Sequence, residues 1–122
     1  MATQQSTSPD AGAAARTAVD AASDKQGSNI VLLDVREVSA FADYMVVLTA
    51  GSVRQLNALS DDLIEAVEKA GPALHHREGS AESGWVLLDF GDVVVHVFSE
   101  EQRDFYRLEQ VWRAGRELVR IQ

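Results

Sequence analysis

Several groups of residues in this chain of 122 amino acids have types and spacings that chemistry could use. Gly51-Ser52 stands just before an apolar-periodic run, the strand-to-helix arrangement that cradles phosphate in nucleotidyl transferases. Free N–H groups and the helix dipole both favour an anion at such a point. That reaction also needs paired carboxylates on the next strand to hold magnesium. Residues 73–77 carry none, while Asp89 and Asp92 flank a turn and point differently. Ser52 as a simple helix cap is the commoner arrangement, so residual nucleotide binding or nucleotidyl transfer is kept as the alternative function.

His75-His76 looks like a metal pair, but adjacent strand residues face opposite sides and cannot share one ion. His96 lies between valines, without an adjacent nucleophile or carboxylate to make it a catalytic base. The expectation for it is a hydrogen-bonded structural histidine that would make any nearby interface pH-sensitive. Arg103, Arg107, Arg113, Arg116 and Arg120 alternate with Glu100, Glu101, Asp104, Glu109 and Glu117 along an expected last helix. Mixed signs at this spacing describe a solvated helix face rather than an RNA-binding stripe. No catalytic residue, metal or cofactor is expected, and ribosomal RNA contact near residues 116–120 is expected to be weak at most.

Charge points the same way. Nineteen acidic residues against eleven basic ones give a net charge of −8, which repels nucleic acid and suits a basic protein surface. DNA and membrane are therefore not expected as partners, and no apolar run reaches membrane-spanning length. The absence of cysteine and of an apolar leader segment leads to the expectation of a cytoplasmic protein.

The most informative stretch runs from Trp85 to Phe98. Residues 85–90 and 93–98 read as strands joined at Gly91-Asp92, where glycine supplies the positive φ of a two-residue hairpin turn. This register pairs Phe90 with Val93, Leu87 with His96 and Trp85 with Phe98. Alternation puts Val86, Leu88, Phe90, Val93, Val95 and Val97 on one apolar face, which must be core. The other face carries Trp85, Leu87, Val94 and Phe98 around Asp89 and His96, and is too apolar for water. It must be covered by this chain or by a partner.

Around the hairpin, residues 1–8 are expected to form a disordered tail and residues 9–122 a single domain. An alanine-rich helix is predicted over 9–24, ended by Gly27 and Ser28, with strands at 30–36 and 44–50. Ser52 and Gln55 form a capping box opening a helix whose stripe is Val53, Leu56, Leu59, Leu63, Ile64 and Val67. Gly71-Pro72 stops it. A weak strand at 73–77 and a loop at 78–84 precede the hairpin. Ser99 and Gln102 open the last helix, with Phe105, Leu108 and Trp112 as its stripe. The order gives an α+β fold, a mixed β-sheet flanked by helices.

These residues also carry a family resemblance. Asp43-Tyr44-Met45-Val46-Val47, followed by Gly51-Ser52-Val53-Arg54-Gln55, resembles the first signature of the ribosomal silencing factor (RsfS, Iojap-like) family. Glu78-Gly79 and then residues 85–98 resemble the second, and Phe105-Tyr106-Arg107-Leu108-Glu109 with Trp112 resembles the closing helix. The match spans about residues 23–112. It departs at Ala50-Gly51-Ser52, where many members have Thr-Gly-Thr-Ser, and at Phe90, where Tyr or Leu is usual. The tail after Trp112 is longer than in many members.

The resemblance implies a nucleotidyltransferase-like fold without the catalytic carboxylates, and a protein that is not an enzyme. It implies binding to ribosomal protein L-fourteen on the large ribosomal subunit. Occupying that face would block joining of the small subunit and repress translation under nutrient limitation, with a homodimer in the free state. On this reading the partner-binding residues are Trp85 and Phe90 as aromatic anchors, Phe98 beside them, and Asp89 and Asp92 as rim carboxylates toward a basic partner. The competing arrangement packs Trp85 and Phe98 beneath this chain's own C-terminal helix.

Overall fold

A computed structural model of the chain describes residues 11–106 and 115–122. Its centre is a six-stranded mixed sheet in the order β3-β4-β5-β2-β1-β6. The strands are β1 (Ser28–Asp34), β2 (Tyr44–Ala50), β3 (His76–Ser80), β4 (Trp85–Asp89), β5 (Val93–Ser99) and β6 (Arg116–Ile121). β2 and β5 run parallel, register Tyr44 opposite Val93 through Ala50 opposite Ser99, and the other neighbours pair antiparallel. The parallel pair requires the crossover that α2 (Val53–Lys69), β3 and β4 supply between them.

Helices α1 (Ala11–Asp24) and α2 pack together and cover one face of the sheet. The α1 contact is built from small residues, Ala14, Ala15, Ala18, Val19 and Ala22, which let helix and sheet approach closely. From α2 come Leu56, Leu59, Leu63 and Val67. They meet Ile30, Leu32, Val46, Leu48, Val86, Leu88, Phe90, Val93, Val95 and Val97 in one continuous core. Helix α1 ends on a left-handed Gln26 (φ 68°), and the Gly27 N–H donates back to the Ala22 carbonyl at 2.8 Å. Gly27 is tightly placed, a Cβ there lying 3.0 Å from Leu48 Cδ1 and 3.1 Å from the Ala22 carbonyl oxygen.

The hairpin register matches the sequence reading, Trp85 opposite Phe98 through Asp89 opposite Val94, with the Phe90 N–H donating to the Val93 carbonyl. Gly91 sits at φ 90°. Other expectations need correction. The third strand is His76–Ser80 rather than 73–77, because residues 78–80 pair with β4 instead of looping. The described part of the last helix, α3, is Glu100–Tyr106, and Arg116–Ile121 form edge strand β6 beside β1 instead of continuing a helix. Arg116 and Arg120 therefore lie on a strand.

Along β6, Leu32 pairs with Val119 but Leu33 with Glu117, so Leu118 is the extra residue of a bulge. The bulge brings Glu117 and Arg120 to one face, where they bond at 2.8 Å. Phe105 is 75% exposed and Val53 48% exposed, so neither is part of a buried stripe. Arg103 is buried and donates to the buried Thr49 hydroxyl at 2.8 Å, not to solvent. Leu108, Trp112, Arg107, Glu109, Arg113 and the 1–8 tail lie outside the described residues.

Ser52 caps α2 as expected, its Oγ accepting the Gln55 N–H at 3.0 Å. Ser52→Ala should lower stability by about 1 kcal/mol, and Leu63→Ala, a fully buried side chain, by about 2–5 kcal/mol. Urea denaturation followed by circular dichroism would measure both.

Candidate partner-binding face

The second face of the sheet is apolar over β1, β2 and β5, where Val31, Leu33, Met45, Val47 and Phe98 are buried together with Val35. Directly paired residues share a face, so the ladder defines cross-strand rows. One row is Ser80, Trp85, Phe98 and Thr49; the next is Glu78, Leu87, His96 and Val47; the third is His76, Asp89, Val94 and Met45. Helix α3 lies over β5 and β2 at the Phe98 and Thr49 end, fixed there by Arg103. Along β4 this face is half-buried at Trp85, Leu87 and Asp89, and it alternates with the fully covered Val86 and Leu88.

Trp85 is held on several sides. Its ring lies 4.4 Å from Tyr106 and 5.0 Å from Phe98, centroid to centroid. Its indole N–H donates to His96 Nδ1 at 3.1 Å. The remaining side of the ring walls a surface hollow of about 310 Å³ lined with Leu87, Gly79, Ser83 and Glu78. On its floor Gly79 sits at φ 87°, and a Cβ there would fall 2.1 Å from the Trp85 carbonyl oxygen, so only glycine fits where β3 meets β4. A serine ladder shapes its rim, with the Ser83 hydroxyl donating to the Ser80 carbonyl at 2.8 Å. Exposed Phe105 packs edge-on against Tyr106 and extends the aromatic ledge.

The five expected contact residues separate. Trp85 and Asp89 lie on one half-buried row of β4, roughly 13 Å apart along the strand. Asp92 is exposed at the turn, where its carbonyl accepts the Asp43 and Tyr44 N–H groups. The Asp89 carboxylate accepts the Gly91 N–H at 2.8 Å and so braces the same turn. Phe98 is 0% exposed and Phe90 4%. Both expectations of surface contact are corrected here, Phe98 being sealed under Trp85 and Tyr106 and Phe90 belonging to the opposite core. The burial of Phe90 follows from the alternation that already put it with Val86 and Leu88.

Glu78 and Tyr106 are the residues of this face that sequence reasoning did not select. Leu87 was placed on it by the alternation, though not named as a contact residue. Glu78 joins the row only because β3 is shifted, which the strand propensity of residues 78–80 does not reveal.

The other candidate centres are occupied by the chain itself. Gln55 Oε1 accepts the Gly51 N–H and Ser52 Oγ the Gln55 N–H, so an anion at the start of α2 would have to displace these caps. His76 pairs with Glu78 at 3.3 Å, and the His75 ring lies over Gly91. Among the described residues, no three His, Cys, Asp or Glu side chains are grouped to hold a metal, and no helix is long and apolar enough to cross a membrane.

His96 is 6% exposed, and burial pushes its pKa down from 6.5 to about 4. Trp85 can only donate, so Nδ1 must be the acceptor and the imidazole is neutral in the folded protein. The folded pKa lies below the unfolded one, so between them the unfolded chain binds more protons. Stability is therefore full above pH 6.5 and falls as pH drops toward 4, by about 3 kcal/mol. Asp34, held down to about 2 by hydrogen bonds from Arg36, loses its contribution only below that window. Urea midpoints at pH 7.5 and 4.5 should differ in the wild type and differ less in His96→Asn, which does not titrate.

Comparison with known proteins agrees with this architecture. The family model described as "Ribosomal silencing factor during starvation" matches residues 7–122. Ribosomal silencing factor RsfS of Bacillus subtilis is 36% identical over 97 residues, covering 80% of this chain and 82% of the relative. RsfS of Halalkalibacterium halodurans is 36% identical over 95 residues, covering 78% and 81%. The chloroplastic protein Iojap of Zea mays is 38% identical over 92 residues, 75% of this chain and 40% of that longer protein. A crystal structure from Chromobacterium violaceum superposes with a TM-score of 0.81 at 32% identity, covering 91% of this chain and 92% of the other. With the family model spanning nearly its whole length, this chain belongs to the ribosomal silencing factor (RsfS/Iojap) family.

Proposed function

We propose that this protein is a cytoplasmic translation repressor that binds the large ribosomal subunit and, by occupying the face where the small subunit docks, blocks subunit association under nutrient limitation. The relatives are named as ribosomal silencing factors, and the matching family description specifies starvation. Its direct partner in this proposal is ribosomal protein L-fourteen, as the family resemblance implies. It acts by steric occupation and not as an enzyme.

The observation that carries the reading is Trp85 and Leu87, with Asp89 beyond them, half-buried along the open side of β4 next to the buried strand β5. Half-exposed aromatics beside a hollow are what a partner can desolvate for affinity. Glu78 borders the hollow and Glu82, Glu100 and Glu101 are exposed on the adjoining turn and helix, so the acidic surroundings suit a basic ribosomal protein. Contact by Asp89 and the more distant Asp92 with Lys or Arg of the partner belongs to the same proposal, while Phe98 supports Trp85 from beneath and Phe90 lies in the core of the opposite face. The net charge of −8 argues against DNA and leaves ribosomal RNA a minor contact.

Co-sedimentation with purified large subunits tests this directly. Trp85→Ala should remain folded by circular dichroism and lose about 2–4 kcal/mol of binding. A folded variant that sediments like wild type would overturn the assignment of this face. In the free state we take the protein to be a homodimer whose apolar seam is this same row. Sedimentation equilibrium should then show Trp85→Ala shifted toward monomer, and an undisturbed dimer would refute the shared seam.

A further inference from the structure

Trp85 is half-exposed, a condition in which an indole ring ordinarily retains some choice of rotamer. Here its N–H has a buried acceptor. His96 stands in the neighbouring row of β5, in register with Leu87, and its Nδ1 lies 3.1 Å from the indole nitrogen. The two ring centroids are 5.9 Å apart and the planes are inclined at 38°, so the contact is a hydrogen bond rather than a stack. Phe98 lies nearly parallel to His96, at 8° and 6.1 Å, and fixes the imidazole plane. Tyr106 closes on Trp85 from α3. The indole is thereby oriented before any partner arrives.

We propose that His96 is a positioning residue for partner binding: by accepting the Trp85 N–H, its Nδ1 lone pair holds the indole as the wall of the hollow it forms with Leu87, Gly79, Ser83 and Glu78. Ordering an aromatic anchor during folding removes that entropic cost from the binding step. The alternation of β5 required only an apolar side chain at position 96, and valine or leucine would have filled it. A histidine there supplies the acceptor that its apolar neighbours cannot. Glu78 and Leu87 share the His96 row, so the group that orients the anchor also adjoins the acidic side of the surface.

The inference rests on Trp85 being the partner contact, and the test separates the two. Trp85→Phe identifies which of the two tryptophan indole signals in a ¹H–¹⁵N spectrum belongs to Trp85. In the wild type that proton should exchange slowly with solvent, and His96 nitrogen shifts should show the proton on Nε2. His96→Asn places an oxygen where Nδ1 stands, so it should preserve slow exchange and bind large subunits within about twofold of wild type. His96→Leu removes the acceptor; exchange should accelerate and affinity fall about three- to tenfold, the worth of one hydrogen bond. In a Trp85→Phe background the same His96→Leu change should cost nothing further.

A folded His96→Leu that binds like wild type, when Trp85→Ala does not, overturns this inference alone. Wild-type binding by Trp85→Ala overturns the contact reading and this inference with it. Should His96→Leu fail to fold, the wild-type exchange rate decides, and an indole proton exchanging as freely as in a peptide overturns the role of His96.

Discussion

A β-sheet with two apolar faces has to be covered twice, and everything else in this protein follows from how unequally that is done. On one face α1 and α2 bury eleven residues from β1, β2, β4 and β5 or the turn that joins the last two. Each aliphatic side chain so buried contributes roughly 1.5–3 kcal/mol against chain entropy. On the other face the described cover is α3, seven residues long, placed over β5 and β2. The central strands are buried there too, yet β4 is left half-covered. That strand carries Trp85, Leu87 and Asp89 on the open side because the hairpin register puts Val86 and Leu88 on the closed one.

Polar groups within this arrangement are few and each has a specific partner. Arg103 reaches from α3 to the Thr49 hydroxyl and ties the helix to the end of β2. Helices in proteins owe most of their stability to tertiary packing, so such an attachment holds α3 in place. His96 is kept neutral by burial and accepts from Trp85. Both groups act on the same corner of the sheet, where Tyr106, Phe98 and Trp85 converge. This corner of the sheet is therefore built on hydrogen bonds from buried groups, which hold geometry more tightly than apolar packing alone because an unsatisfied partner is costly.

The sheet edges are handled differently from the faces. At β6 a bulge at Leu118 interrupts the ladder and the exposed Arg120–Glu117 pair sits beside it, while β3 is short and carries Arg77 and Glu78. Bulges, charges and brevity all discourage strand addition from another chain.

Much of this was legible in the residues. Gly91 fixes the turn, period-two alternation then fixes which side chains share a face, and Ser52 with Gln55 marks the start of α2, because each depends only on chain geometry a few residues long. The strand Tyr44–Ala50 and the α+β class follow equally from local pattern. What the tertiary structure alone decided involves residues far apart in sequence. The polar segment His76–Ser80 is a strand because β4 offers it a ladder, and Arg116–Ile121 is a strand because β1 does, although the charge spacing of the latter suits a helix. Phe98 is core and Trp85 half-buried where Tyr106 of α3 packs against both rings. Local sequence sets the face of each side chain. Only long-range packing determines how much of that face remains in water.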